Sequence, residues 1–112
     1  MNARYVQRGE SIDHIPGSDM GAGDVIVQGE LVGIAKLDVK ANELGSLAVT
    51  GVFEMSKATG ASTAIPVGTK VYWDVAEKVA KVDAESGANK LIGKAVKAAA
   101  DADETVLVRL SQ

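Results

Sequence analysis

The closest approach to a phosphate-binding loop in this chain lies between Gly87 and Lys94. A P-loop consists of Gly, four residues and then Gly-Lys-Ser/Thr, because successive backbone amides wrap the phosphates and the hydroxyl binds magnesium. Here five residues separate Gly87 from Gly93, and Ala95 stands where the hydroxyl residue is required. The loop geometry and the magnesium ligand are both missing, so the sequence argues against nucleotide binding.

A single histidine, His14, directly follows Asp13 and lies close to Ser11 and Ser18. Serine, histidine and aspartate are the residue types of a nucleophilic hydrolase site. The sequence lacks the nucleophile elbow and the oxyanion signature of such a site, so we interpret His14 as a polar residue ending a short strand. A carboxylate pair for glycoside hydrolysis stays open, because such a pair meets only in the fold.

Two acidic groups have the residue types that hold a hard cation. They are Asp83 with Glu85, and Asp101 with Asp103 and Glu104. Neither group has the ligand spacing of a calcium loop, so we interpret both as solvated turns. The chain has no cysteine, which excludes disulfides and thiolate metal sites. We therefore predict no catalytic residue, no cofactor and no metal site.

Aromatic side chains are scarce, and a sugar-cleaving site usually needs several of them as platforms. Tyr72 and Trp73 are adjacent on a predicted strand and point to opposite faces, so one is expected in the core and the other partly exposed. We predict that Phe53 lies in the core and that Trp73 is an interface contact. Trp and Tyr are enriched at interfaces.

Composition indicates one globular domain over residues 1–112. The chain is 46% hydrophobic and 24% charged, so a core can form, but small and β-branched side chains must build it. The formal charge is −3 and the lysines are spread along the chain, which argues against a nucleic-acid surface. Because the N-terminus lacks a signal-peptide pattern and no membrane span is evident, we expect synthesis in the cytosol.

Turn residues interrupt short β-compatible runs along most of the chain. This pattern is typical of a mainly β fold, a small barrel or sandwich of antiparallel strands and hairpins with at most one or two short helical turns. The clearest element is a hairpin of strands 25–28 and 31–37 across Gly29-Glu30. Residues 56–64 could be a loop or a helical turn, and 94–102 a strand end and loop or a short helix. Further strands are predicted at residues 4–6, 11–14, 45–49, 52–55, 70–73, 79–82, 91–97 and 105–110.

Part of that hairpin is echoed near the C-terminus. LVGIA at 31–35 resembles LIGKA at 91–95, and at the same offset Leu47 aligns with Leu107. Two related strand-turn-strand units would explain the echo, each with a glycine where a neighbour approaches closely. The alternative is the ordinary similarity of strands made from small residues.

An ordered set of short motifs resembles a family of small phage and prophage proteins. The family was long a domain of unknown function labelled a phage RecA/RadA-type recombinase, and its members are now regarded as capsid cement, or head decoration, proteins. A RecA-type motor needs a P-loop and a longer α/β core, which this chain lacks. The matching motifs are YVQ (5–7), GESI (9–12), GDV (23–25), GELVGIA (29–35), GSLAV (45–49), GVFE (51–54), KATG (57–60), GTKVYWD (68–74), IGKAV (92–96) and VLVRL (106–110).

The resemblance implies a non-enzymatic virion protein that binds the major capsid protein lattice on the outside of the assembled head, as a homotrimer. Residues 1–12 would form a docking arm that can add a strand to a neighbour. Tyr5 and Val6 on that arm, together with Trp73, are the predicted interface residues. Two alternatives come from other classes: a small carbohydrate-active or hydrolytic enzyme using His14 and nearby carboxylates, and a DNA-recombination accessory protein.

Overall fold

Two antiparallel sheets make up the computed structural model, which describes residues 2–111. The first sheet has the strand order β1-β4-β3-β2 and contains β1 (Ser11–His14), β2 (Val25–Gln28), β3 (Leu31–Ala35) and β4 (Gly45–Ala48). The second has the order β5-β9-β8-β6-β7 and contains β5 (Val52–Ser56), β6 (Lys70–Asp74), β7 (Val79–Lys81), β8 (Lys90–Ala95) and β9 (Thr105–Leu110). One 3-10 turn, Glu85–Gly87, precedes β8. The mainly β prediction is confirmed, as a sandwich-like pair of sheets that is not closed into a barrel.

The predicted hairpin is present as β2 and β3, joined by Gly29 in a left-handed conformation with φ of 61°. The strand ends at Ala35, two residues before the predicted end. Ala35 there bonds to the loop before β2, donating to Asp24 O and accepting from Gly23 N. The predicted strand at 4–6 is wrong, since these residues are exposed and have no partner strand among the described residues.

The helical alternatives for two segments are also settled. In the 94–102 segment β8 continues to Ala95, whose N–H donates to Thr69 O. The prediction of a strand end followed by a loop is therefore confirmed, and the alternative prediction of a short helix is wrong. Residues 57–64 form bends and turns without a helix. Alanine-rich sequence favours helix only weakly, and pairing with a neighbouring strand outweighs that preference.

The main hydrophobic core lies mostly within the second sheet and includes Val32 and Ile34 of β3 from the first. Burial of each such aliphatic side chain contributes about 1.5–3 kcal/mol. As the composition predicts, most members are small or β-branched. The cluster contains Val32, Ile34, Met55, Ile65, Val71, Trp73, Ala80, Ile92, Ala95, Ala99, Val106, Val108 and Leu110.

A second, smaller cluster covers the other face of the first sheet. Ala35 and Leu47 of the sheet pack against Met20, and half-buried Val39 packs beside them. Met20 and Val39 exchange two backbone hydrogen bonds of 2.9 Å, which tie the loop before β2 to the loop after β3. The central strand β3 is therefore buried on both faces.

Both sheets repeat one topology. Without β7, the order β5-β9-β8-β6 matches β1-β4-β3-β2 strand for strand in chain order. The bridge between Met20 and Val39 has a counterpart between Ile65 and Ala99, which also exchange two backbone hydrogen bonds. The echo in the sequence therefore belongs to two related four-strand units, and β7 is an insertion in the second.

The exact alignment of the echo needs one correction. Ala35 pairs with Leu47, whereas Ala95 pairs with Val108. The counterpart of Leu47 is therefore Val108 and not Leu107, which lies half-buried on the opposite face of β9. One extra residue before β9 in the second unit shifts the alignment, and a constant offset cannot detect it.

Both echoed glycines lie at close approaches between neighbouring strands. A Cβ on Gly33 would lie 2.8 Å from Leu47 Cβ, and one on Gly93 would lie 1.9 Å from the backbone oxygen of Arg109. Real Cβ atoms essentially never approach other heavy atoms this closely. Glycine at these positions lets neighbouring strands come together, as the sequence predicts.

Buried Lys57 joins the two edges of the second sheet. Its backbone forms a parallel bridge with Ala80 of β7, so the sheet curls without closing. Its ammonium group satisfies four oxygen acceptors and thereby holds the 57–64 segment against the loop before β9. The acceptors are the backbone oxygens of Ala58, Asp101 and Asp103 and Thr63 Oγ1, at 2.6, 3.4, 3.2 and 3.3 Å.

Gly93→Ala is expected to lower the free energy of unfolding by about 3 kcal/mol, the upper end of the usual overpacking range, because the new methyl group would meet a backbone oxygen that cannot rotate away. Gly17→Ala is the control: nothing lies within 4 Å of that Cβ, so the change should be at most about 1 kcal/mol. Urea unfolding measures both. Equal stabilities of the two variants would contradict the close approach.

Candidate docking surfaces

The segment before β1 forms an exposed arm. Tyr5 and Val6 are 78% and 76% exposed, and the side-chain hydrogen bonds of the segment are local, from Gln7 to Ser11 O and between Arg8 and Glu10. Residues 2–9 form the described arm. The last two residues of the predicted arm 1–12, Ser11 and Ile12, lie in β1, and Met1 lies outside the described residues. The docking role of the arm stays a prediction.

A groove of about 730 Å³ opens between the two sheets. Its lining includes the buried residues Ile34, Met55 and Trp73 and the half-buried residues Val25 and Phe53. Such an apolar lining suits an apolar side chain from a partner. Exposed charged residues also line the groove, namely Asp19, Asp24, Glu54 and Lys78.

Two of those carboxylates shape the loop beside the groove. Asp19 Oδ1 accepts from Ala41 N at 2.9 Å, and Asp24 Oδ2 accepts from Gly21 N at 2.8 Å. Each of these hydrogen bonds uses only one of the two oxygens of its carboxylate. On the groove side the charged residues are Asp19 and Asp24 against Lys78, whereas alternation along β5 places Glu54 on the outer face, which it shares with Arg109.

The structure places Trp73 differently from the partly exposed aromatic residue that we expect from the sequence. Its side chain is only 7% exposed and belongs to the main core, whereas Tyr72 is half-buried on the other face of β6. A partner would reach Trp73 only through the groove that it lines. The interface roles of Tyr5, Val6 and Trp73 stay predictions.

Three cations form a row across the outer face of the second sheet. Lys94 on β8 pairs in register with Lys70 on β6 and with Arg109 on β9, and all three are exposed. None has an ion pair within residues 2–111. Like charges directly opposite each other destabilise a sheet. We call Lys70, Lys94 and Arg109 the basic row.

The lysines look dispersed along the sequence, so sequence reasoning missed the basic row. Their alternation within each strand is visible, but the pairing of three distant strands is not. One signal in the sequence could have pointed to it. Successive residues of a strand face opposite sides, so Lys94 must point outward if Gly93 packs closely against a neighbouring strand.

An ion-pair cluster holds the turn from β6 to β7, next to the groove. Asp74 accepts from Glu77 N at 3.0 Å and from Lys81 Nζ at 2.9 Å. The backbone N–H of Glu77 and then the ammonium group of Lys81 lower the pKa of Asp74 to about 2. Lys81 also pairs with Glu77 and lies 3.8 Å from Glu85, and the hydrogen bonds to Glu77 and Asp74 raise its pKa.

The residue types of a hydrolase site do not come together on β1. Ser11 and Asp13 share one face of the strand, whereas His14 lies on the other and lines the groove. Ser11 Oγ accepts from Lys36 Nζ at 2.7 Å.

The predicted acidic groups cap turns, as expected of solvated loops. Asp83 Oδ1 accepts from Glu85 N, and Asp101 Oδ1 from the N–H groups of Thr63 and Ala64. Residues 2–111 contain no group of three or more potential metal ligands among His, Cys, Asp and Glu. Within the same range, no helix has the length and apolarity needed to cross a membrane.

An exposed arm, a groove between sheets and a row of unpaired cations on a β-sandwich are features of proteins that assemble with other proteins. A family model described as phage cement protein matches residues 6–110, so the chain belongs to that family. Membership implies association with the phage capsid and a structural role there. The family resemblance of the motifs is thereby confirmed. No curated protein and no solved structure matches the chain.

Acid should weaken the fold through Asp74. Its pKa is about 2 in the folded protein against an ordinary value of 3.8, so the stabilisation is complete above pH 3.8 and is lost as the pH falls towards 2. We expect Asp74→Asn to lose less stability than the unsubstituted protein between pH 5 and about pH 2.5, measured by urea unfolding. Identical pH profiles would contradict the role of Asp74.

Lys94→Glu should stabilise the isolated protein by about 0.2–1 kcal/mol, since it replaces two like-charge pairs by opposite-charge pairs. Lys40→Glu makes the same charge change at an exposed loop position and should have a smaller effect. Urea unfolding at low salt measures both. A destabilised Lys94→Glu variant would show that the three cations do not repel one another.

Proposed function

We propose that the protein binds the outer surface of an assembled phage capsid as a homotrimer and stabilises the shell without catalysing a reaction. The observation that carries the proposal is the match to the phage cement protein family over residues 6–110. The trimer rests on the family resemblance of the motifs. Synthesis takes place in the cytoplasm of the bacterial host, and binding follows assembly of the shell.

Stabilisation of this kind follows from mass action. A ligand that binds the assembled shell and not its dissociated subunits shifts the equilibrium towards the shell. Such work requires contact surface and no catalytic residue. The separation of His14 from Ser11 and Asp13 agrees with a non-enzymatic role.

The basic row is the surface that we assign to the capsid lattice. Three unpaired cations repel one another in the isolated protein, and carboxylates on the major capsid protein would relieve that repulsion. The lattice partner we expect is therefore an acidic patch of the major capsid protein. Binding through this row should weaken with rising salt.

Purified protein should co-sediment with undecorated capsids of the cognate phage and raise the temperature at which they break open. Binding without any rise in shell stability would contradict the cement role, and so would the absence of binding. Duplex DNA without capsids serves as a control. Salt-dependent DNA binding by the same row would instead favour the recombination alternative.

The Lys94→Glu variant distinguishes weaker capsid binding caused by a lost contact from weaker binding caused by unfolding. We expect this variant to weaken capsid binding by about tenfold, because it places a negative charge against the capsid carboxylates, while its own stability rises, because the like-charge pairs with Lys70 and Arg109 are lost. Lys40→Glu, with the same change in net charge, should bind like the unsubstituted protein. If both variants bind equally well, the basic row does not face the lattice.

A further inference from the structure

We propose that residues 4–8 of one copy insert into the groove between the sheets of a neighbouring copy, so that exchanged arms hold the homotrimer together. This inference rests on the proposed self-association and adds the segment and the receptor surface that produce it. The arm and the groove are both present in every copy, so the contact can repeat around a closed ring.

Apolar complementarity supports this occupant. Tyr5 and Val6 are adjacent, exposed and without a described partner, although their types favour burial at interfaces. The groove lining supplies Phe53, Met55 and Trp73. Its volume of about 730 Å³ lies within the range of about 300–1,000 Å³ that is usual for binding pockets. Insertion would bring exposed apolar arm residues onto apolar groove residues.

Charge complementarity supports it independently. Arg4 and Arg8 flank the apolar pair on the arm, whereas the groove lining carries Asp19 and Asp24 against Lys78. Arg8 pairs with exposed Glu10, and exposed pairs of this kind contribute little stability. Replacing Glu10 by a groove carboxylate as the partner of Arg8 would therefore cost little free energy. The arm thus matches the groove in both its apolar centre and its charged ends.

The direction of β1 favours a second copy over the chain's own groove. His14, at the end of β1, lines the groove, whereas the arm leaves from the start of the strand at Ser11. Three residues of strand separate the two ends by about 10 Å. The arm would have to reverse at Gly9 and run back past β1 to reach its own groove, whereas β1 sets no such constraint on an arm that comes from a neighbouring copy.

The absence of native cysteine makes a crosslinking test direct. One tagged chain carries Gln7→Cys, which leaves Tyr5 and Val6 intact on the arm, a second carries Val75→Cys in the groove, and the two are mixed without capsids and treated with a short bis-maleimide. The control chain carries Val67→Cys, which is 63% exposed, close to the 55% of Val75, but does not line the groove. Crosslinked heterodimers should form with Val75→Cys and not above background with Val67→Cys. Equal yields overturn the inference.

A chain carrying both Gln7→Cys and Val75→Cys distinguishes exchange from self-insertion. Under exchange, its crosslinking should fall on dilution. Crosslinking within single chains that persists at every dilution overturns the inference in favour of the chain's own groove.

Association is the second readout. Tyr5→Ala should raise the concentration at which trimers dissociate by about thirtyfold or more, as loss of an aromatic anchor does. Leu37→Ala removes a comparably exposed apolar side chain outside the groove and should leave association unchanged. Sedimentation velocity measures both. A protein that binds capsids but stays monomeric overturns arm exchange and leaves the cement role standing. Crosslinked trimers that do not bind capsids support arm exchange and contradict the cement role.

Discussion

The approach of β9 to Gly93 is the constraint on which the second sheet depends. A Cβ at position 93 would lie 1.9 Å from Arg109 O. The strand β8 can therefore lie between β6 and β9 only because residue 93 is glycine. The neighbouring residue, Lys94, is then held opposite Lys70 and Arg109 at once. One missing side chain therefore aligns three strands, buries Ile92 and Ala95 in the core and places the basic row on the surface.

The fold class was readable from the sequence because its signals are local. Turn residues and alternation predict the β2–β3 hairpin, and the echoed glycines mark real close approaches. Local alternation alone also predicts a strand at 4–6, which is absent because a strand needs a neighbour to pair with. The burial of Trp73, the basic row and the match of Leu47 with Val108 depend on contacts between distant segments, which no local pattern contains.

The two sheets make different contributions to the proposed assembly. In the first sheet the central strand β3 is buried on both faces, and the edge strand β1 leads directly from the arm. The second sheet contains most of the core and exposes the basic row. The groove lies between them, so self-association and capsid contact would use separate surfaces. That separation is what allows one surface to be altered without the other.

The repeated unit also shows where this architecture accepts extra chain. Two residues, Gly29 and Glu30, join the second and third strands of the first unit, whereas fifteen residues, 75–89, join the equivalent strands of the second and include β7. The same connection thus tolerates very different lengths without loss of the surrounding pairing. The short exposed turn at Gly29 and Glu30 is accordingly the natural point for grafting a foreign peptide, which a lattice of bound copies would display in a dense, regular array.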